Sequence, residues 1–140
     1  MSDGRKVFLI DDDRIFNLIN EKTISMTNFA RCVKAFLLAE NALNELRHLS
    51  INEPENFPDI IFLDINMPGM DGWDFLDEFI LLDENILSRC KVIMLSSSID
   101  PNDIDKSKTY KVVHDFYSKP LTPDKLQALD YFLSEKTSAL

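Results

Sequence analysis

Short apolar runs and helically spaced apolar residues alternate along this chain. The runs fall at residues 7–10, 32–36, 60–63, 92–95 and, more weakly, 112–117, and they are rich in β-branched and aromatic side chains. Each is long enough for a strand and too short for a helix. Between them the apolar positions take a period near 3.6. Ile15, Leu18, Ile19 and Met26 mark the inward face of a first helix, and Ala42, Leu43, Leu46 and Leu49 that of a second. Phe75, Leu76 and Phe79 mark a third; Leu126, Leu129, Phe132 and Leu133 mark the last. The segment 102–111 is polar and only faintly periodic, and it supplies the fourth helix of the pattern. The polar stretch "SINEPENFPD" reads as a loop before the third strand.

Five strands alternating with five helices predict an α/β protein, a parallel sheet wound on both faces through right-handed crossovers. In such a sheet the ligand site lies beyond the carboxyl ends of the strands, where the strand order reverses. That rule brings distant polar residues together. The first run ends in Asp11, Asp12 and Asp13, the third in Asp64, the fourth in Ser96, Ser97 and Ser98, and the fifth continues into Ser118-Lys119-Pro120.

A carboxylate at the end of a buried strand is costly unless a cation compensates it. Asp11, Asp12 and Asp64 side by side would repel one another, and hard carboxylate oxygens in that number suit Mg²⁺ rather than zinc. Lys119 supplies a fixed positive charge and Ser96 a hydroxyl. A carboxylate nucleophile, a divalent cation, a lysine and a hydroxyl together make a phosphoryl-transfer site. Asp13 reads as a helix N-cap, and Asp71, after "MPGM", as another.

Composition narrows the partners. With 45% hydrophobic and 28% charged residues in 140, the chain has the make-up of one ordinary globular domain. The 15 Lys+Arg against 24 Asp+Glu give a net charge of -9, which argues against nucleic acid and against an anionic membrane surface. The start, "MSDGRKVFLIDDD", has only four consecutive apolar residues and does not read as a secretory leader. Cys32 and Cys90 have no metal or redox spacing and read as structural thiols of a reducing, cytoplasmic compartment. The three glycines, Gly4, Gly69 and Gly72, form neither a dinucleotide fingerprint nor a P-loop. His48 and His114 read as solvated or structural rather than as phosphohistidines, Phe75 and Tyr117 as packing residues, and Trp73 as a half-exposed reporter.

The segments "VFLIDDD", "IIFLDINMPGMDGW", "VIMLSSS" and "FYSKPLTP", in that order and over nearly the whole chain, resemble the receiver domain of two-component response regulators. The resemblance implies a flavodoxin-like (βα)5 sheet with strand order 2-1-3-4-5, and a single receiver domain over residues 1–140 with no output domain. It implies Asp64 as the phosphoacceptor, Asp11 and Asp12 as the acidic pair serving Mg²⁺, and Asn66 lending its backbone carbonyl to the metal. Ser96 takes the hydroxyl position, Lys119 the family's lysine, Phe116 the aromatic switch, and Lys119–Pro120 is expected to be cis. The implied partners are a sensor histidine kinase or a histidine phosphotransfer protein, with a downstream protein target, and the implied role is signalling rather than turnover.

Three features depart from the family pattern. Val112-Val113 replace a usual small pair, Ser97 stands where alanine is common, and the loop before the third strand is long; none of these removes a chemical group. The alternative function is an aspartate-nucleophile phosphohydrolase. That class generally wants a second acid two residues after the nucleophile, and Asn66 occupies the place.

Overall fold

The computed structural model describes residues 4–138, with side chains as far as Ser134. Five strands, β1 (Lys6–Ile10), β2 (Cys32–Phe36), β3 (Ile60–Asp64), β4 (Lys91–Ser96) and β5 (Val113–Ser118), form one sheet in the order β2-β1-β3-β4-β5. All four pairings are parallel. The order reverses between β1 and β3, and this places the crevice for a ligand between the ends of those two strands.

The helices are α1 (Arg14–Met26), α2 (Ala39–Asn52), α3 (Gly72–Phe79), α4 (Glu84–Leu87), α5 (Pro101–Ser107) and α6 (Pro123–Ser138). α4 is a single turn that the periodicity does not announce, since four residues are too few to show a period. The faint fourth helix of the sequence pattern is α5, which ends at Ser107 instead of continuing through 111. The expected loop at 50–59 also holds structure: its first three residues finish α2, and Pro54–Asn56 make a turn of 3-10 helix.

Strand alternation sorts the core into two layers. Phe8, Ile10, Ile61, Leu63, Val92 and Met94 face α2, α3 and α4, where Leu43, Leu46, Phe75 and Phe79 are buried against them. Val7, Leu9, Ile60, Phe62, Ile93 and Leu95 face the other way, onto Ile24 of α1 and Leu126 and Leu129 of α6. Every residue of β3 is buried, which is why it reads as a continuous apolar run. Each such side chain contributes roughly 1.5–3 kcal/mol of burial, so the strand that carries Asp64 is among the best anchored parts of the molecule.

α1 overturns one expectation. Ile15, Leu18, Ile19 and Met26, marked by their spacing as the inward face, are 68%, 65%, 41% and 70% exposed. The helix instead buries Asn17, Asn20 and Ile24. The reason is hydrogen bonding. The Asn17 amide donates to the carbonyls of Asp11 (3.0 Å) and Phe36 (3.4 Å), and Asn20 Oδ1 accepts from the Leu121 N–H at 3.0 Å. Loop backbone groups at the strand ends need these partners, and an apolar side chain there would leave them unsatisfied.

Candidate functional site

Three carboxylates and an ammonium meet in the crevice between β1 and β3. Asp11 follows directly on β1, and its N–H donates to the Phe36 carbonyl at the end of β2. Asp64 is the last residue of β3. Both are buried, while Asp12 is exposed at the mouth. One oxygen from each of Asp11, Asp12 and Asp64 lies within 4.8 Å of the others. Lys119 reaches in from the loop after β5, its Nζ 2.7 Å from Asp11 Oδ2 and 3.1 Å from Asp64 Oδ1, with only 7% of its side chain exposed.

The electrostatics are unbalanced in a useful way. Burial is the largest force on Asp64, raising its pKa to about 6; the Asp11 charge adds to this, and Lys119 pulls it back by its charge and its hydrogen bond. Burial also works against the Lys119 charge, yet the hydrogen bonds and charges of Asp11 and Asp64 outweigh it and hold the ammonium above its ordinary pKa. One ammonium against three carboxylates leaves two formal negative charges in the crevice. Hard oxygen donors, an excess of negative charge and an open mouth at Asp12 fit a small divalent cation such as Mg²⁺.

The loops hold these groups by local chemistry. Asp13 caps α1, its carboxylate accepting from Ile15 N (2.8 Å) and Phe16 N (3.4 Å), while its own N–H donates to Asp11 Oδ1 at 2.9 Å. Asp71 and Asp74 form a reciprocal capping box at the start of α3. Between Asp64 and that cap the chain turns through Pro68 and Gly69, whose φ of 74° suits glycine. Asn66 is exposed in this turn. Lys119–Pro120 is cis.

Ser96 is buried at the end of β4, but its hydroxyl points to its own loop. It donates to the Ser98 carbonyl at 2.6 Å and accepts from the Ser98 N–H at 3.1 Å. Phe116 is half-buried on β5 against the α2–α3 layer, and Tyr117 packs on the opposite one. Trp73, in the first turn of α3, is half-buried between the Tyr110 ring (5.9 Å) and the Lys106 ammonium (4.7 Å). His48 is exposed, near Glu53 and Asn52, and His114 lies 4.6 Å from the Phe132 ring, both away from the acidic crevice. Cys32 is exposed and Cys90 buried, and both are free; burial pushes the Cys90 thiol well above its ordinary pKa.

Several supporting residues escape a reading of motifs. Lys125, in the first turn of α6, donates to the carbonyls of Ser118 (2.6 Å) and Pro120 (3.1 Å), so it grips the loop on both sides of Lys119. Asn20 holds the same loop at Leu121. Gly72 passes so close to β3 that a Cβ there would stand 2.7 Å from the Asp64 carbonyl oxygen. The second glycine of "GMDGW" was the visible signal for this contact; nothing local marks Lys125.

Comparison with known proteins gives a consistent result. The family described as the response regulator receiver domain matches residues 7–129. Sporulation initiation phosphotransferase F of Bacillus subtilis is 34% identical over 124 residues, covering 89% of each chain. The C4-dicarboxylate transport transcriptional regulatory protein DctD of Rhizobium meliloti is 31% identical over 127 residues, which are 90% of this chain and 24% of that protein, so the chain spans about a quarter of that relative's length. Among solved structures, a two-component response regulator from Cytophaga hutchinsonii superposes with a TM-score of 0.87 at 34% identity, covering 96% of this chain and 99% of the other. Among the described residues no helix is long and apolar enough to cross a membrane.

Proposed function

This chain belongs to the response regulator receiver domain family, and we propose that it acts in the cytoplasm as a receiver that takes a phosphoryl group onto Asp64 from a phosphohistidine. The donor is a sensor histidine kinase or a histidine phosphotransfer protein. The observation that carries this reading is the buried Asp64 carboxylate, set between an acidic pair and the Lys119 ammonium at the strand-order reversal.

In the transfer, an Asp64 carboxylate oxygen attacks phosphorus in line with the histidine. The new P–O bond forms as the P–N bond breaks, and the electron pair leaves with the imidazole nitrogen. Lys119 carries part of the charge on the phosphoryl oxygens. Asp11, Asp12, Asp64 and the Asn66 backbone carbonyl would hold Mg²⁺, which when bound neutralises charge on the transferring group. Ser96 exchanges its neutral bond to the Ser98 carbonyl for a charge-assisted bond to a phosphoryl oxygen. The two differ by about 1 kcal/mol, small enough to keep the change reversible.

Input and output use different faces. Ile15, Leu18, Ile19 and Met26 form an exposed apolar stripe on the helix that begins beside the crevice, and the donor docks there with its histidine over Asp64. Movement of Ser96 opens space beside β5, Phe116 turns into it, and the face made by α5, β5 and α6 repacks. Tyr131 and Phe132, 68% and 44% exposed, stand on α6 ready for a target protein. The test is intact mass after incubation with acetyl phosphate and Mg²⁺. One phosphoryl group per chain, absent in Asp64→Asn and absent with chelator, is the expected result. Continuous turnover of a phosphomonoester would instead indicate a phosphohydrolase.

A further inference from the structure

Phe16 stands in the first turn of α1, half-buried, and belongs to neither layer of the hydrophobic core. Its ring instead covers a charge: Lys119 Nζ lies 4.5 Å from the ring centroid. An ammonium has three N–H donors. On one side it is ion-paired with Asp11 Oδ2 at 2.7 Å and Asp64 Oδ1 at 3.1 Å, and the aromatic face closes a further side of the same nitrogen.

We propose that Phe16 is a positioning residue for phosphoryl transfer, holding the Lys119 ammonium against Asp64 and shielding it from water. This rests on Asp64 being the phosphoacceptor. The backbone of the lysine is already anchored, since Lys119 N–H donates to the Ser96 carbonyl at 2.8 Å and Lys125 and Asn20 grip the flanking residues. What the backbone does not fix is the end of a four-carbon flexible stem. During transfer that ammonium must pass one N–H from the Asp64 oxygen to a phosphoryl oxygen, and a nitrogen free to swing into water would lose the alignment. The ring forbids that swing while offering no hydrogen bond of its own to compete. Phe16 is placed by the acidic cluster itself, because the Asp13 carboxylate that caps its N–H belongs to the residue whose own N–H holds Asp11.

The test uses the full chain, with Phe16→Leu to remove the aromatic face and Phe16→Tyr to restore it. The first measurement is the ¹H–¹³C spectrum of the lysine ε-methylenes in metal-free protein, with Lys119 assigned by its loss in Lys119→Arg. The ring current should shift the Lys119 signal upfield in the wild type and in Phe16→Tyr, and the shift should vanish in Phe16→Leu. The second measurement is the rate of Asp64 phosphorylation by acetyl phosphate with Mg²⁺. Phe16→Leu should be slower by about three- to thirty-fold and Phe16→Tyr close to wild type. A Lys119 signal that Phe16→Leu leaves unmoved overturns the inference, and so does an equal rate in the wild type and Phe16→Leu. A wild-type chain that accepts no phosphoryl group overturns the proposed function and takes this inference with it, an outcome distinct from either of those.

Discussion

Replacing Asp64 by asparagine keeps the shape of the side chain and removes its charge, so it isolates what ionisation costs the fold. The folded protein holds this carboxyl at a pKa of about 6, chiefly through burial and then through the Asp11 charge, with Lys119 opposing both. An unfolded aspartate titrates near 3.9. With the folded value the higher of the two, the unfolded chain releases its proton first. Stability is therefore lost as pH rises from about 4 to about 6 and the loss is constant above that. Two pKa units at about 1.4 kcal/mol each set a ceiling near 3 kcal/mol at pH 7. Asparagine also gives up the attraction to Lys119, already counted in the raised value, and it leaves that ammonium paired with Asp11 alone. We expect Asp64→Asn to be more stable than wild type by about 1–3 kcal/mol at pH 7 in chelator, a rise of about 2–9 °C in thermal midpoint. The assay is thermal and urea unfolding of both chains at pH 7 and pH 4. The gap should close at pH 4, where wild-type Asp64 is protonated in the folded chain, and should shrink in saturating Mg²⁺, which would stabilise the ionised wild type more than a variant lacking one of the three carboxylates. A variant no more stable at pH 7, or a gap that is the same at both pH values, refutes the account of Asp64 as a charge held at a cost.

Three more outcomes follow from single contacts. Gly72→Ala places a methyl 2.7 Å from the Asp64 carbonyl oxygen, so urea unfolding should show a loss of about 1–3 kcal/mol, because the obstacle is backbone and cannot rotate away. Asp12→Ala removes the exposed carboxylate of the acidic group; calorimetry should show Mg²⁺ affinity reduced by about tenfold or more, with the thermal midpoint in chelator unchanged or raised by relief of repulsion. Phe116→Ala should still take one phosphoryl group at Asp64 by mass. It should lose the beryllofluoride-dependent NMR shifts on α5, β5 and α6 while keeping those around the metal site; shifts retained on that face would remove Phe116 from the signal path.

What the sequence alone determined is whatever depends on neighbours along the chain. Strand runs such as 60–63 and the faces of α2 and α3 follow from a period of two or 3.6, because a residue's side of its own element is set by local geometry. The parallel sheet follows from the alternation of elements, and the gathering of Asp11, Asp64, Ser96 and Lys119 follows from where their strands end. The caps at Asp13 and Asp71 were legible for the same reason, since an N-cap acts within three residues. The tertiary structure decided the rest. α1 carries two stripes, one apolar and one with Asn17 and Asn20, and periodicity alone favours burying the first. The second is buried because it meets loop groups that need hydrogen bonds, one of them the N–H of Leu121, 101 residues away from Asn20. A comparable separation in sequence hides the Phe16 ring over Lys119. The direction of the Ser96 hydroxyl and the approach of Gly72 to Asp64 depend on backbone positions that no period encodes. A hydrogen bond or a ring contact is fixed by separations of a few tenths of an ångström in space, and those exist only once the sheet has brought its strand ends together.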